Sequence, residues 1–205
     1  MKGEKIILGV VYLAVMVLGT AFPAWAGEPT DRMKETTDRI LAIVKDPSLK
    51  GPEKAEQKRK LIRQIVDEVI DWEEMSRRSL GIHWRNRTEE EKKEFVGLFS
   101  KLIERTYRDK VEDYAGETVK FLGEKIDGDY AEVESKILTS KNTEIPVSYK
   151  MIKKQGRWWV YDIVIEGVSF VSNYRTQFNS ILASSSFQAL LKQLKTKTEN
   201  AKPKP

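Results

Sequence analysis

The 205-residue chain contains no cysteine and a single histidine, His83. The lack of cysteine excludes disulfide scaffolds, thiolate zinc sites, iron–sulfur ligation and cysteine nucleophiles. One histidine rules out a multi-histidine metal site and leaves a histidine-based triad without partners. Gly-x-Gly-x-x-Gly, Walker-type and Gly-x-Ser-x-Gly patterns are also missing, so nothing points to nucleotide binding or α/β-hydrolase chemistry. Charge of one sign is scarce too: 36 Lys and Arg against 31 Asp and Glu leave +5, dispersed along the chain. That balance suits a surface approaching anionic membranes and makes no case for nucleic acid.

The one long uncharged run stands at the start. Lys2 and Lys5 precede an apolar stretch over 6–18, and Ala24-Trp25-Ala26 supplies a small-x-small cleavage signature. The stretch falls short of the roughly 20 residues that a membrane span needs. Residues 1–26 therefore read as a signal peptide, 27–194 as a single domain, and 195–205 as a disordered Lys-rich tail. Export without cysteine points to a bacterial periplasm or beyond, and lipoprotein anchoring is excluded because a lipobox requires cysteine.

Helical periodicity comes first. Met33, Thr37, Ile40, Leu41 and Val44 share one face before Asp46-Pro47 and Gly51-Pro52 interrupt it. Leu61, Ile62, Ile65, Val66, Val69 and Ile70 mark a second helix. Thr88 and Glu91 form a capping box at the head of a third, striped by Phe95, Leu98, Phe99, Leu102, Ile103 and Tyr107. After Gly116 the period becomes two. Val119 and Phe121 alternate up to the Asp127-Gly128-Asp129 turn, and Ala131, Val133, Ser135 and Ile137 follow it. Ile145, Val147, Tyr149 and Met151 continue the pattern, and Gln155-Gly156 leads into 158–165. There both alternating sets are mostly apolar, as in a central strand covered on both faces. Two more helices close the chain, one with Tyr174, Phe178, Ile181 and Leu182, the other with Phe187, Leu190, Leu191 and Leu194. Helices segregated from an antiparallel meander predict an α+β fold.

Candidates for chemistry are few. His83 sits between two helices with no catalytic partner, which fits a hydrogen-bonding residue at a junction. Asp162 and Glu166, four apart on a strand, share a face and could do acid–base work, although pairing with Arg175 is the simpler role. Ser184-Ser185-Ser186 has no neighbouring base and reads as a loop or helix cap. No catalytic or metal-binding residue is assigned, and an apolar surplus on the sheet fits a plain core as well as an apolar cavity.

Two longer blocks carry a resemblance. The first runs Asp71-Trp72-Glu73-Glu74-Met75-Ser76-Arg77-Arg78-Ser79-Leu80-Gly81-Ile82-His83-Trp84, with Thr88, Glu91 and Phe95 to Phe99 after it. The second is Gly156-Arg157-Trp158-Trp159-Val160-Tyr161-Asp162-Ile163-Val164-Ile165-Glu166-Gly167-Val168-Ser169, continuing to Asn173-Tyr174-Arg175-Thr176-Gln177-Phe178. With the N-terminal signal, these blocks resemble the MlaC or toluene-tolerance auxiliary family over nearly the whole chain. Trp72 stands where many members have phenylalanine, and a glycine often found near 184–186 is missing.

The resemblance implies a carrier rather than an enzyme. The expected fold is a twisted antiparallel sheet of four to five strands, nuclear-transport-factor-like, packed against N-terminal and C-terminal helices around an apolar cavity. The expected cargo is a glycerophospholipid, with no cofactor, in a monomeric periplasmic protein. The partners it implies are an outer-membrane lipoprotein–porin complex and an inner-membrane MCE-domain ABC transporter. A hopanoid cargo, or an enzyme of similar fold with a buried carboxylate, is the alternative. Strand residues expected to line the cavity are Val119, Phe121, Val133, Val147, Tyr149, Met151, Val160 and Val168. Phe99, Tyr107, Tyr174 and Phe178 join them from helices, and Arg175 is expected near the head group at the mouth. A pocket for two acyl chains should exceed the roughly 1,000 Å³ upper range of small-molecule sites.

Overall fold

The computed structural model describes residues 28–112 and 116–199, with 107–112 described by backbone alone. The expected signal peptide and the last six residues lie outside this range, as do the side chain of Tyr107 and all of Tyr114. The helices are α1 (Glu28–Lys45), α2 (Ala55–Asp67), α3 (Trp72–Leu80), α4 (Glu89–Glu112), α5 (Phe170–Ser184) and α6 (Phe187–Glu199). The strands are β1 (Thr118–Asp127), β2 (Tyr130–Leu138), β3 (Glu144–Lys154), β4 (Arg157–Ile165) and β5 (Val168–Ser169). They form one antiparallel sheet in the order β1-β2-β3-β4-β5, the α+β meander the periodicity predicts.

The turns follow from their residues. Gly128 takes φ 57 at the first central position of the β1–β2 hairpin, a conformation that costs glycine little. Gln155-Gly156 and Glu166-Gly167 both have positive φ at each position, as two-residue hairpins of matching twist require. Glu166 thus belongs to the β4–β5 turn and is exposed, so the expected carboxylate pair on one strand face does not form.

A bulge resolves the double apolar pattern of β4. Lys150 pairs with Asp162 but Met151 pairs with Val160, leaving Tyr161 as an extra residue. Beyond a bulge the alternation changes phase. Trp158 and Val160 therefore face the same side as Ile163 and Ile165, the side also taken by Val147, Tyr149 and Met151. One face is apolar throughout, instead of two. A second bulge, at Leu122, shifts β1 so that Glu124 turns inward, where its carboxylate accepts from the backbone N–H and hydroxyl of Thr30 at 2.8 and 2.6 Å. An anion there suits the first turn of α1.

The helices cover the inner face unevenly. Phe95, Phe99, Tyr174, Phe178 and Phe187 form an aromatic cluster joining α4, α5 and α6, with ring centroids 5.0–6.1 Å apart. With Met75, Leu80, Val133, Met151 and Val160 they make the core beside one half of the sheet. Thr88 and Glu91 exchange the two hydrogen bonds of the capping box, at 3.1 and 3.2 Å. Ser186 caps α6 through the N–H of Ala189. That helix continues to Glu199, with Lys195 on Glu94 at 2.6 Å, so the first five residues of the expected tail are ordered helix.

Candidate functional site

The other half of the inner face is where a cavity opens. Ile137, Val147, Tyr149, Ile163 and Ile165 form its sheet wall, and Ile62, Val66 and Ile70 face them, with Trp72, Ile103 and Phe170 completing the lining. The register explains the grouping: Val147 pairs with Ile165, and Tyr149 with Ile163, further along the strands from the Met151–Val160 pair of the core. The volume is about 300 Å³. That is at the low end for small-molecule pockets and well short of the large cavity expected. Ile62 and Val66 of α2 occupy part of the gap as half-buried side chains.

Burial in this wall pushes the Tyr149 phenol up from its ordinary pKa, with the nearby Ser135 hydroxyl opposing in part. The Ser135 hydroxyl itself donates to the Val147 carbonyl at 3.0 Å. Among the described residues, four charged ones line the cavity: Lys58, Arg59 and Arg63 on α2, and Glu104 on α4. Arg63 bridges the two helices, donating to Glu104 at 2.8 Å and to Ser100 at 3.3 Å. It also donates to Asp67 at 2.7 Å, and its guanidinium lies 5.0 Å from the Trp72 ring centre. The Trp72 indole N–H donates to the same Asp67 at 2.6 Å.

Of the residues expected on the wall, Val147 and Tyr149 lie there. Phe99, Tyr174 and Phe178 pack into the aromatic cluster, and Val133, Met151 and Val160 into the core beside it. Val119 and Phe121 are half-buried on β1, outside the lining. Val168 is exposed on the two-residue strand β5. Arg175 is exposed and donates to the Arg78 carbonyl at 2.8 Å, where the expected partner was Asp162 or Glu166. Asp162 instead accepts from Ser169 at 2.6 Å and from the Val171 N–H at 3.0 Å, holding the start of α5. Alternation could not reveal the basic rim. The Lys58-Arg59-Lys60 run followed by Arg63 was the available signal, and it reads as an ordinary solvated face.

The two blocks that carry the family resemblance mainly build this frame. Asp71 caps α3 through the Glu74 N–H at 2.9 Å and accepts from Lys154 at 2.6 Å. The backbone of Val69 and Asp71 brackets Val160 with two 2.9 Å hydrogen bonds, pinning the link after α2 to the edge of β4. Among the described residues no cluster of metal-ligating side chains occurs, and no helix is long and apolar enough to cross a membrane.

Comparison with known proteins gives a consistent set of likenesses. The family model described as MlaC protein matches residues 34–196. The intermembrane phospholipid transport system binding protein MlaC of Haemophilus influenzae is 22% identical over 193 residues, covering 92% of this chain and 89% of that protein. The toluene tolerance protein ttg2D of Pseudomonas putida is 22% identical over 176 residues, covering 83% and 82%. The fold matches the structure of a phospholipid-binding protein from Ralstonia solanacearum in complex with a phospholipid. The TM-score is 0.74 at 24% identity, covering 84% of this chain and 97% of that one.

Proposed function

Because this chain belongs to the MlaC protein family, we propose that it is a periplasmic phospholipid carrier whose cavity under α2 receives the acyl chains. The observation that carries the reading is the cavity itself: an almost wholly apolar wall ending at a basic rim, matching an amphiphile with an anionic head. The phospholipid transport role of the Haemophilus influenzae relative and the phospholipid bound by the Ralstonia solanacearum protein support the same cargo. The route proposed is between an outer-membrane lipoprotein–porin complex and an inner-membrane MCE-domain ABC transporter, following export by the N-terminal signal.

Such a carrier needs no catalytic group. Two acyl chains hold about 30 methylenes at about 0.8 kcal/mol each, so bare passage through water costs on the order of 20 kcal/mol. Replacing bilayer by an apolar pocket of similar quality removes most of that barrier. Asp162 is committed to capping α5 and Glu166 is exposed in a turn, so neither supports the enzyme alternative.

Val147→Phe tests the site. The larger ring fills free space on the wall, so stability changes by about 1 kcal/mol or less, whereas transfer of labelled phospholipid between vesicles drops at least several-fold. Unchanged transfer by a folded variant would move the cargo elsewhere.

A further inference from the structure

We propose that Arg63 is the seat of the cargo's head-group phosphate and that Glu104 competes with that phosphate for it, an assignment that rests on the phospholipid-carrier reading. Arg63 stands where the apolar lining gives way to charge, with Ile62, Val66 and Ile103 close by in sequence on the same two helices. A lipid whose chains lie along the wall brings its glycerol phosphate to that boundary.

The guanidinium is already held for the task. Its Nε donates to Asp67 at 2.7 Å and its plane covers Trp72, contacts that do not involve Glu104. Three of its five N–H groups are engaged, by Asp67, Glu104 and Ser100. The remaining donors, and the one now given to Glu104, form the fork that phosphate oxygens accept well. Arg63 and Glu104 are only 24% and 34% exposed, and a phosphate added beside both Asp67 and Glu104 would crowd anions around one cation. Exchange relieves this: as a phosphate arrives on Arg63, Glu104 swings to solvent, while Asp67 stays on the guanidinium.

The same exchange would loosen the Arg63–Glu104 tie between α2 and α4, which spans the charged side of the cavity. Lipid arrival and opening of the mouth are then one event. Among the described residues of the lining, Lys58 and Arg59 stand on the same helix as Arg63, although Arg59 is paired with Glu56 at 2.8 Å.

The test compares two lipids with identical chains, dioleoylphosphatidylglycerol and dioleoylglycerol, the second lacking phosphate. Each is offered in vesicles to the wild-type chain, Glu104→Gln, Arg63→Gln and Arg63→Lys, and bound lipid is extracted and quantified. Glu104→Gln should raise phosphatidylglycerol loading several-fold and leave diacylglycerol loading unchanged. Arg63→Gln should lower phosphatidylglycerol loading about tenfold relative to diacylglycerol, as loss of a charge-assisted hydrogen bond would, with Arg63→Lys in between. If Arg63→Gln fails to fold, Glu104→Gln decides, since it keeps the other Arg63 contacts. Variants that shift both lipids together, or neither, overturn the assignment while the carrier reading stands. A wild type that loads neither lipid overturns both.

Discussion

Glu74 is 6% exposed, yet three cations surround it: Arg77 at 2.5 Å, Arg78 at 2.7 Å and Lys154 at 3.6 Å. Burial by itself would raise its pKa. The hydrogen bonds and charge of Arg77 and Arg78 outweigh burial and hold the carboxyl at about 2, below its ordinary 4.5. Arg78 continues the network by stacking on Tyr161, 4.0 Å from the ring centre. A depressed folded-state pKa stabilises fully above the unfolded value, and the stabilisation is lost as pH falls from about 4.5 to about 2. Glu74→Gln should cost about 2–3 kcal/mol in urea unfolding at pH 7, the scale of hydrogen bonds to a charged group. The gap to wild type should shrink across that acid window; a gap unchanged down to pH 2 would assign the stabilisation to shape rather than charge.

At the scale of elements, α2 is the piece on which access depends. Its C-terminal link is fixed to β4 through Val160, and its first turn follows the Gly51-Pro52 break. Its reach to α4 on the cavity side runs through Arg63. Two acyl chains need more than about 300 Å³, so the carrier reading predicts that one wall yields, and α2 is the expected one. The absence of native cysteine makes this measurable with two introduced ones. Spin labels at Lys60→Cys on α2 and Lys120→Cys on β1, both exposed positions, should separate by several ångströms on phospholipid loading. A distance unchanged in loaded protein would place the expansion elsewhere.

Elements also show what was legible beforehand. Helix stripes, the capping box and the hairpin turns are local signals and mostly appear where the residues put them. Val69 and Ile70 instead lie beyond the end of α2, where Ile70 bridges to Val160, and no stripe in the sequence announces the short helix α3. The β4 bulge is not local: a strand that changes phase at Tyr161 looks identical in sequence to one buried on both faces. For the same reason strand alternation identified inward residues without separating core from cavity. Val133 and Val147 alternate equally well, but Val133 packs into the core and Val147 lines the cavity. Arg175 and the α2 basics are equally polar in sequence, and only the packing of helices decides which reaches the rim.

At the scale of the whole molecule, one antiparallel sheet and the helices packed on it enclose a core of aromatic and aliphatic side chains and, adjoining it, an apolar cavity. The chain belongs to the MlaC protein family, and the occupant proposed for that cavity is a phospholipid with its head at the basic rim. The proposed carrier holds one lipid per chain as cargo. Native mass spectrometry of the purified protein, followed by lipid extraction, is the decisive measurement. The expected result is an adduct of about one glycerophospholipid with two acyl chains per protein. A polycyclic lipid such as a hopanoid would keep the carrier and change its cargo. A ligand-free protein that also takes up no phospholipid from vesicles would overturn the carrier reading.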